Sequence, residues 1–223
     1  MGRAIAITTR HGTIDAWRAD PLDGAQRGAL VVVQEIFGVN EHIRAVVERY
    51  AAEGYVAVAP DMFAPVQPHV ELGYGEDGFA RGRELAAALG FERAVDIVAG
   101  AAAMLREEGH ATAVIGFCWG GSVAYLANIR LGLPAVSYYG ARTVPFLDEP
   151  LRAPMLFHFG GDDGSIPPAD VQAHRERQPD ATVHVYEGAG HAFNRDVDPR
   201  HHHPASASLA HRRTLKFLEV ALS

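Results

Sequence analysis

The chain has 223 residues, 48% hydrophobic and 21% charged, which suits one sizeable soluble globular domain and leaves little room for a second. Its formal net charge of −7 excludes nucleic acid as the main partner, because phosphate binding needs a concentrated basic surface. A single cysteine, Cys118, excludes an internal disulfide and any multi-cysteine metal centre.

Apolar runs such as residues 29–33 and 56–60 are strand-sized and far short of a bilayer span. The N-terminal residues reach Thr8, Thr9, Arg10 and His11 without the continuous apolar core of a secretory signal. The expectation is therefore a cytoplasmic enzyme with no membrane partner.

Residues 5–18 hold two short β-like runs around His11-Gly12, the pattern of a hairpin at a sheet edge. The Val-rich run 29–34 suits a strand buried on both faces. Asn40 can cap a helix running to about Glu53, with Gly54 as its stop, and residues 55–59 form the next strand. Residues 61–77, with Pro65, Pro68, Gly73 and Gly75, show no period and read as a long loop above the sheet, suited to substrate contacts.

Phe91, Ala94, Val95, Val98, Ala102 and Leu105 recur at helical spacing and predict a helix over residues 90–108. Strands are expected at 113–116, 135–139, 155–159 and 182–186, and helices at 122–129, 168–177 and 209–222. Alternating strands and helices argue for a mostly parallel sheet covered on both faces, with the N-terminal antiparallel hairpin at its edge, in one domain spanning residues 1–223.

A lone Cys in an apolar stretch ordinarily reads as a small buried core residue. The flanks of Cys118 change that reading. Gly116-Phe117-Cys118-Trp119-Gly120-Gly121 follows an apolar strand and opens a helix, the arrangement of a nucleophile elbow with Cys in place of Ser. So tight a turn needs small residues beside its apex, which Gly116 and Gly120 supply. The helix N-terminus also carries partial positive charge, which favours a thiolate.

In such a fold the acid and then the base follow the nucleophile along the chain. Gly160-Gly161-Asp162-Asp163-Gly164 follows one downstream strand, and Gly188-Ala189-Gly190-His191 follows the last. Either aspartate suits the acid by position, and His191 suits the base. His201, His202 and His203 lie between Pro199 and Pro204 with no carboxylate or Cys at ligand spacing, so they read as a solvated loop rather than a metal site.

These motifs, with Gln34-Glu35-Ile36-Phe37-Gly38 and Gly190-His191-Ala192-Phe193, resemble the dienelactone hydrolase (carboxymethylenebutenolidase) family of α/β-hydrolases over about residues 5–218. The resemblance implies a Cys118 nucleophile, His191 as base and Asp163 as the orienting acid. It gives Glu35 control of thiol ionisation and assigns the oxyanion hole to the backbone N–H groups of Ile36 and Trp119. It places Phe37, Arg195 and Arg81 at the substrate, the arginines against a carboxylate. Leu85-Ala86-Ala87-Ala88 stand where the family carries an aromatic pair, a departure that bears on the substrate.

The expected reaction is hydrolysis of a small, anionic lactone or ester through a thioester, with no metal or organic cofactor. A broad carboxylesterase or thioesterase on the same triad is the alternative enzyme. A redox-sensing thiol protein is the non-catalytic one, against which stand the full set of partners and the lack of a resolving cysteine.

Overall fold

The computed structural model describes residues 2–22, 24 and 27–223. In spatial order the sheet runs β1 (Arg3–Thr9), β2 (Gly12–Ala19), β4 (Val56–Pro60), β3 (Ala29–Val33), β5 (Thr112–Phe117), β6 (Ala135–Tyr138), β7 (Met155–Gly160) and β8 (Thr182–Tyr186). By internal contacts the chain falls into two compact units, divided between Val114 and Ile115, with Leu222 grouped with the first. Each is described in turn.

The first unit opens with β1 (Arg3–Thr9) and β2 (Gly12–Ala19), an antiparallel pair with Ile7 opposite Ile14. Gly12 turns the chain at a φ of 98°, and the Thr9 hydroxyl donates to its carbonyl at 2.8 Å. Next come β3 (Ala29–Val33), α1 (Glu41–Ala52) and β4 (Val56–Pro60). β4 runs antiparallel to β2 and parallel to β3.

Every residue of β3 and β4 is buried, which explains why their sequences are continuously apolar rather than alternating. Burying one such Val or Leu side chain stabilises the fold by about 1.5–3 kcal/mol. Asn40 caps α1 as expected, its Oδ1 accepting from the Ile43 N–H at 3.2 Å.

The helix expected over residues 90–108 is longer. α2 runs Glu76–Glu107, and Gly90 interrupts it at φ 74°, ψ 161°. Gly90 thus separates two helical pieces, the second of which matches the expected helix and the first of which extends it toward the N-terminus. Arg93 compensates by donating to the freed carbonyls of Ala88 and Leu89, the latter at 2.8 Å. The irregular stretch before α2 is fixed rather than loose: Asp61 accepts from the N–H groups of Phe63 and His69 at 3.2 and 2.7 Å.

β5 (Thr112–Phe117) crosses the division between the units. The second unit continues with α3 (Trp119–Leu131), β6 (Ala135–Tyr138), a short 3-10 turn at Val144–Phe146 and β7 (Met155–Gly160). It ends with α4 (Pro168–Arg177), β8 (Thr182–Tyr186) and α5 (Pro204–Ala221). β6, β7 and β8 are parallel, with Tyr138 opposite His158 and Gly160 opposite Tyr186.

α3 starts three residues earlier than its apolar pattern suggests, because the elbow leads directly into the helix. α5 starts at Pro204 rather than at residue 209, with proline suited to the first helical turn. No helix among the described residues is long and apolar enough to cross a membrane.

Candidate active site

The elbow closes tightly. A Cβ on Gly116 would lie 1.8 Å from the Gly120 carbonyl oxygen, and one on Gly121 would lie 2.8 Å from the Tyr138 oxygen. Only glycine fits either position. Between them Cys118 takes φ 55°, ψ −119°, a conformation that costs about 1–3 kcal/mol for a residue with a side chain. The turn is held by the Cys118 N–H donating to the Tyr138 carbonyl at 2.9 Å and by the Cys118 carbonyl accepting from Gly121 at 2.9 Å. Its side chain is partly exposed at the N-terminus of α3, where Trp119 is the first helical residue.

Asp163 and His191 come from the loops after β7 and β8, and His191 meets both Cys118 and Asp163. The His191 Nε2 is 3.1 Å from the Cys118 Sγ, and its Nδ1 donates to the Asp163 Oδ2 at 2.8 Å. The Asp163 carboxylate is fully buried and satisfied, its Oδ1 accepting from the Ser165 N–H at 2.8 Å. Asp162 is exposed, so burial separates two acids that the chain alone leaves equivalent.

Burial opposes a charge on His191, but the Cys118 sulfur and the Asp163 carboxylate outweigh it and push the imidazole up to about 10. The arrangement therefore favours a protonated imidazole, with Nε2–H donating to the Cys118 sulfur.

Two further features carried no sequence signal. The Tyr139 ring meets His191 edge-on with centroids 5.2 Å apart. Tyr139 and Ala192 also have positive φ, 42° and 62°, so three of the five non-glycine residues in that region among those described lie at this site. The second feature is Asp198, whose buried carboxylate accepts from Arg195 at 3.3 Å, Arg200 at 2.9 Å and His201 at 2.9 Å.

Arg195 is accordingly buried and ion-paired rather than a free cation. The histidine run lies in a loop, as expected, but two of its members are engaged: His201 with Asp198, and His203 with the Ser206 hydroxyl at 2.8 Å.

The other residues picked from the sequence belong to the first unit. Glu35, Ile36 and Phe37 are all buried after β3. The Phe37 ring meets Tyr74 edge-on at 4.8 Å, and its carbonyl accepts from the Leu72 N–H at 2.9 Å. A Cβ on Gly82 of α2 would fall 2.2 Å from the Ile36 oxygen, so that glycine lets the helix lie against this segment. Arg81 is exposed on α2 and bonded to Glu84 at 2.9 Å and Gln67 at 2.6 Å.

The sequence profile of the dienelactone hydrolase family matches residues 14–222. A carboxymethylenebutenolidase of Pseudomonas putida is 34% identical, covering 85% of this chain and 84% of its own. A candidate carboxymethylenebutenolidase of Escherichia coli strain K12 is 36% identical over 96% of this chain and 85% of its own. The crystal structure of a candidate dienelactone hydrolase from Klebsiella pneumoniae superposes with a TM-score of 0.85 at 28% identity, over 98% of each chain. The fold is thus that of the α/β-hydrolases, and the chain belongs to the dienelactone hydrolase family, whose members act on ester bonds.

Proposed function

We propose that the chain, as one α/β-hydrolase domain of 223 residues, opens a lactone or ester through a Cys118 thioester. The observation that carries this reading is the single imidazole of His191, within hydrogen-bond reach of both the Cys118 sulfur and the buried Asp163 carboxylate. Nucleophile, base and orienting acid are thereby aligned in one chain of contacts.

The thiolate attacks the carbonyl carbon, forming the S–C bond, and the Trp119 N–H at the start of α3 helps hold the oxyanion. Collapse breaks the ring C–O bond and releases an enolate, which needs little protonation to leave and takes the His191 proton once it has left, so that the imidazole is neutral for the next step. A water then gives a proton to His191 and attacks the thioester; the C–S bond breaks and the thiolate returns.

Acylation also removes the sulfur's charge, the largest influence raising His191. The imidazole then loses its proton more readily, which suits a general base for the second step.

For the substrate we propose a carboxylated dienelactone, in keeping with the carboxymethylenebutenolidase named among the relatives. Arg195 would meet its carboxylate. The roles of Glu35, Ile36, Phe37 and Arg81 rest on the sequence motif alone. One observation favours the broader reading of an esterase for neutral substrates: Arg195 already pairs with Asp198.

A panel of small lactones and aryl esters, each with and without a carboxylate, separates the two. Preference for the carboxylated members supports the dienelactone reading; equal specificity constants support the broad esterase.

A further inference from the structure

Behind the triad lies a buried polar set that the reaction itself does not use. The Thr214 hydroxyl of α5 is 2.7 Å from the Tyr138 hydroxyl and 3.0 Å from the His158 Nε2. The other ring nitrogen of His158 is 2.7 Å from the Tyr186 hydroxyl. Thr214 and His158 are wholly buried, and Tyr138 and Tyr186 are nearly so. Burial, with His184 and Arg213 nearby, holds His158 well below the usual histidine range, so its ring is neutral. A neutral imidazole donates from one nitrogen and accepts at the other. The Arg213 side chain also hydrogen-bonds to the Tyr186 phenol, and with that oxygen accepting, the phenol proton goes to Nδ1 and Nε2–H donates to Thr214.

The same three strand residues hold the triad loops by their backbones. The Tyr138 carbonyl accepts from the Cys118 N–H at 2.9 Å, and the His158 carbonyl accepts from the N–H of Tyr139, whose ring lies on His191, at 2.8 Å. The Tyr186 carbonyl accepts from Gly161, at the start of the Asp163 loop, at 2.7 Å. Tyr138 and Tyr186 thus join the buried set through their side chains and the catalytic loops through their carbonyls, Tyr186 also accepting from Ala189 of the His191 loop at 3.3 Å, while the His158 carbonyl holds Tyr139.

We infer that Thr214 is a positioning residue for the hydrolysis, fixing through Tyr138 and His158 the strand ends that hold Cys118, Asp163 and His191. The inference rests on the triad reading above. Displacing reacting groups by about 1 Å can cost about a hundredfold in rate, so a fastening this close to three catalytic loops acts on turnover and not on stability alone.

Thr214→Val keeps the side chain's size and deletes the hydroxyl that both neighbours need. We expect kcat on an aryl ester to fall about tenfold or more with KM within about twofold, since ground-state binding is untouched. The His191 titration followed by NMR should move down from its raised position, and Thr214→Ser should restore both.

Gln178→Leu is the structural comparison. Gln178, at the end of α4, donates to the Tyr125 hydroxyl at 3.1 Å and to the carbonyls of Leu147 and Glu149 at 2.7 and 2.9 Å. Its loss should lower Tm and leave kcat and the His191 titration in place. If Thr214→Val does not fold, Tyr138→Phe removes one bond of the same set and should lower kcat and shift His191 in the same direction. The inference is overturned if the folded variant loses Tm as Gln178→Leu does while kcat and the His191 titration stay at wild type. Cys118→Ala in the same assay tells whether the triad reading itself has failed, since retained turnover there removes the triad whatever Thr214 does.

Discussion

Arg195 and Asp198 form an ion pair at 3.3 Å in which both side chains are almost wholly buried, 6% and 4% exposed. The carboxylate also accepts from Arg200 and His201, which hold its ionisation well below the usual carboxylate range. One carboxylate facing two guanidiniums leaves the cluster net positive, so it can still attract an anion.

On the dienelactone reading, Arg195→Ala should cut the specificity constant for a carboxylated lactone about ten- to a hundredfold more than for a neutral aryl ester, the worth of a desolvated charge-assisted hydrogen bond. Arg195→Lys should fall between, keeping charge without the planar fork. Equal losses on both substrates would move the assignment to the broad esterase.

Asp163 and Asp162 make a sharper comparison, because they differ in burial rather than chemistry. Asp163→Asn should lower kcat by several powers of ten, since an amide neither enforces the imidazole's orientation nor stabilises its charged form. Asp162, exposed and bonded through its backbone N–H to the Ala189 carbonyl at 2.9 Å, keeps that bond as asparagine, so Asp162→Asn should be mild. Steady-state kinetics on one ester decides it, and the reverse ranking would show the acid to be Asp162.

The charge state of His191 can be read directly. Its imidazole is pushed up to about 10, with the Cys118 sulfur the largest raising influence and Asp163 next. Cys118→Ala should therefore lower its titration midpoint markedly while the variant stays folded, as NMR of the ring protons would report. The sign for stability follows: a folded-state value above the unfolded one contributes stability that is full below about 6.5 and is lost as pH rises toward 10. An unchanged midpoint in Cys118→Ala would mean that the sulfur carries no charge in the resting protein.

At acid pH His158 contributes, beside His174 and His184, which burial also lowers. The folded-state value of His158 is depressed by burial first, then by His184 and Arg213, so it contributes stability above the ordinary histidine value and loses it as pH falls below about 6.5. Each proton bound only by the unfolded chain costs about 1.4 kcal/mol per pH unit. Denaturant unfolding between pH 7 and 5 should show a slope shallower by about that amount in His158→Gln, whatever its overall stability. Parallel slopes would show His158 to be protonated in the native state.

Much of this was legible in the sequence because it depends on local constraints. Gly116 marks the elbow through a contact that no Cβ survives, and the buried strands announce themselves as continuous apolar runs. The helical piece after Gly90 shows in the spacing of Phe91 to Leu105, whereas the piece before it, residues 76–89, carries no such extended apolar period.

The choice between Asp162 and Asp163 needed the family motif, because burial of one neighbour over the other is decided by tertiary packing. Tyr139, Asp198 and the Thr214 set were invisible for the same reason: Thr214 meets His158 across 56 positions and Tyr138 across 76. Such separations leave no periodic trace.

The central claim is a covalent intermediate on Cys118, and trapping it is the most direct test. Wild-type protein quenched in acid during turnover of an aryl ester, then digested, should yield the Cys118 peptide carrying the acyl mass, cleaved by hydroxylamine as a thioester is. Cys118→Ala should show neither the adduct nor more than about a thousandth of wild-type turnover. An unmodified Cys118 peptide together with a Cys118→Ala variant that keeps more than about a tenth of the activity would contradict the account.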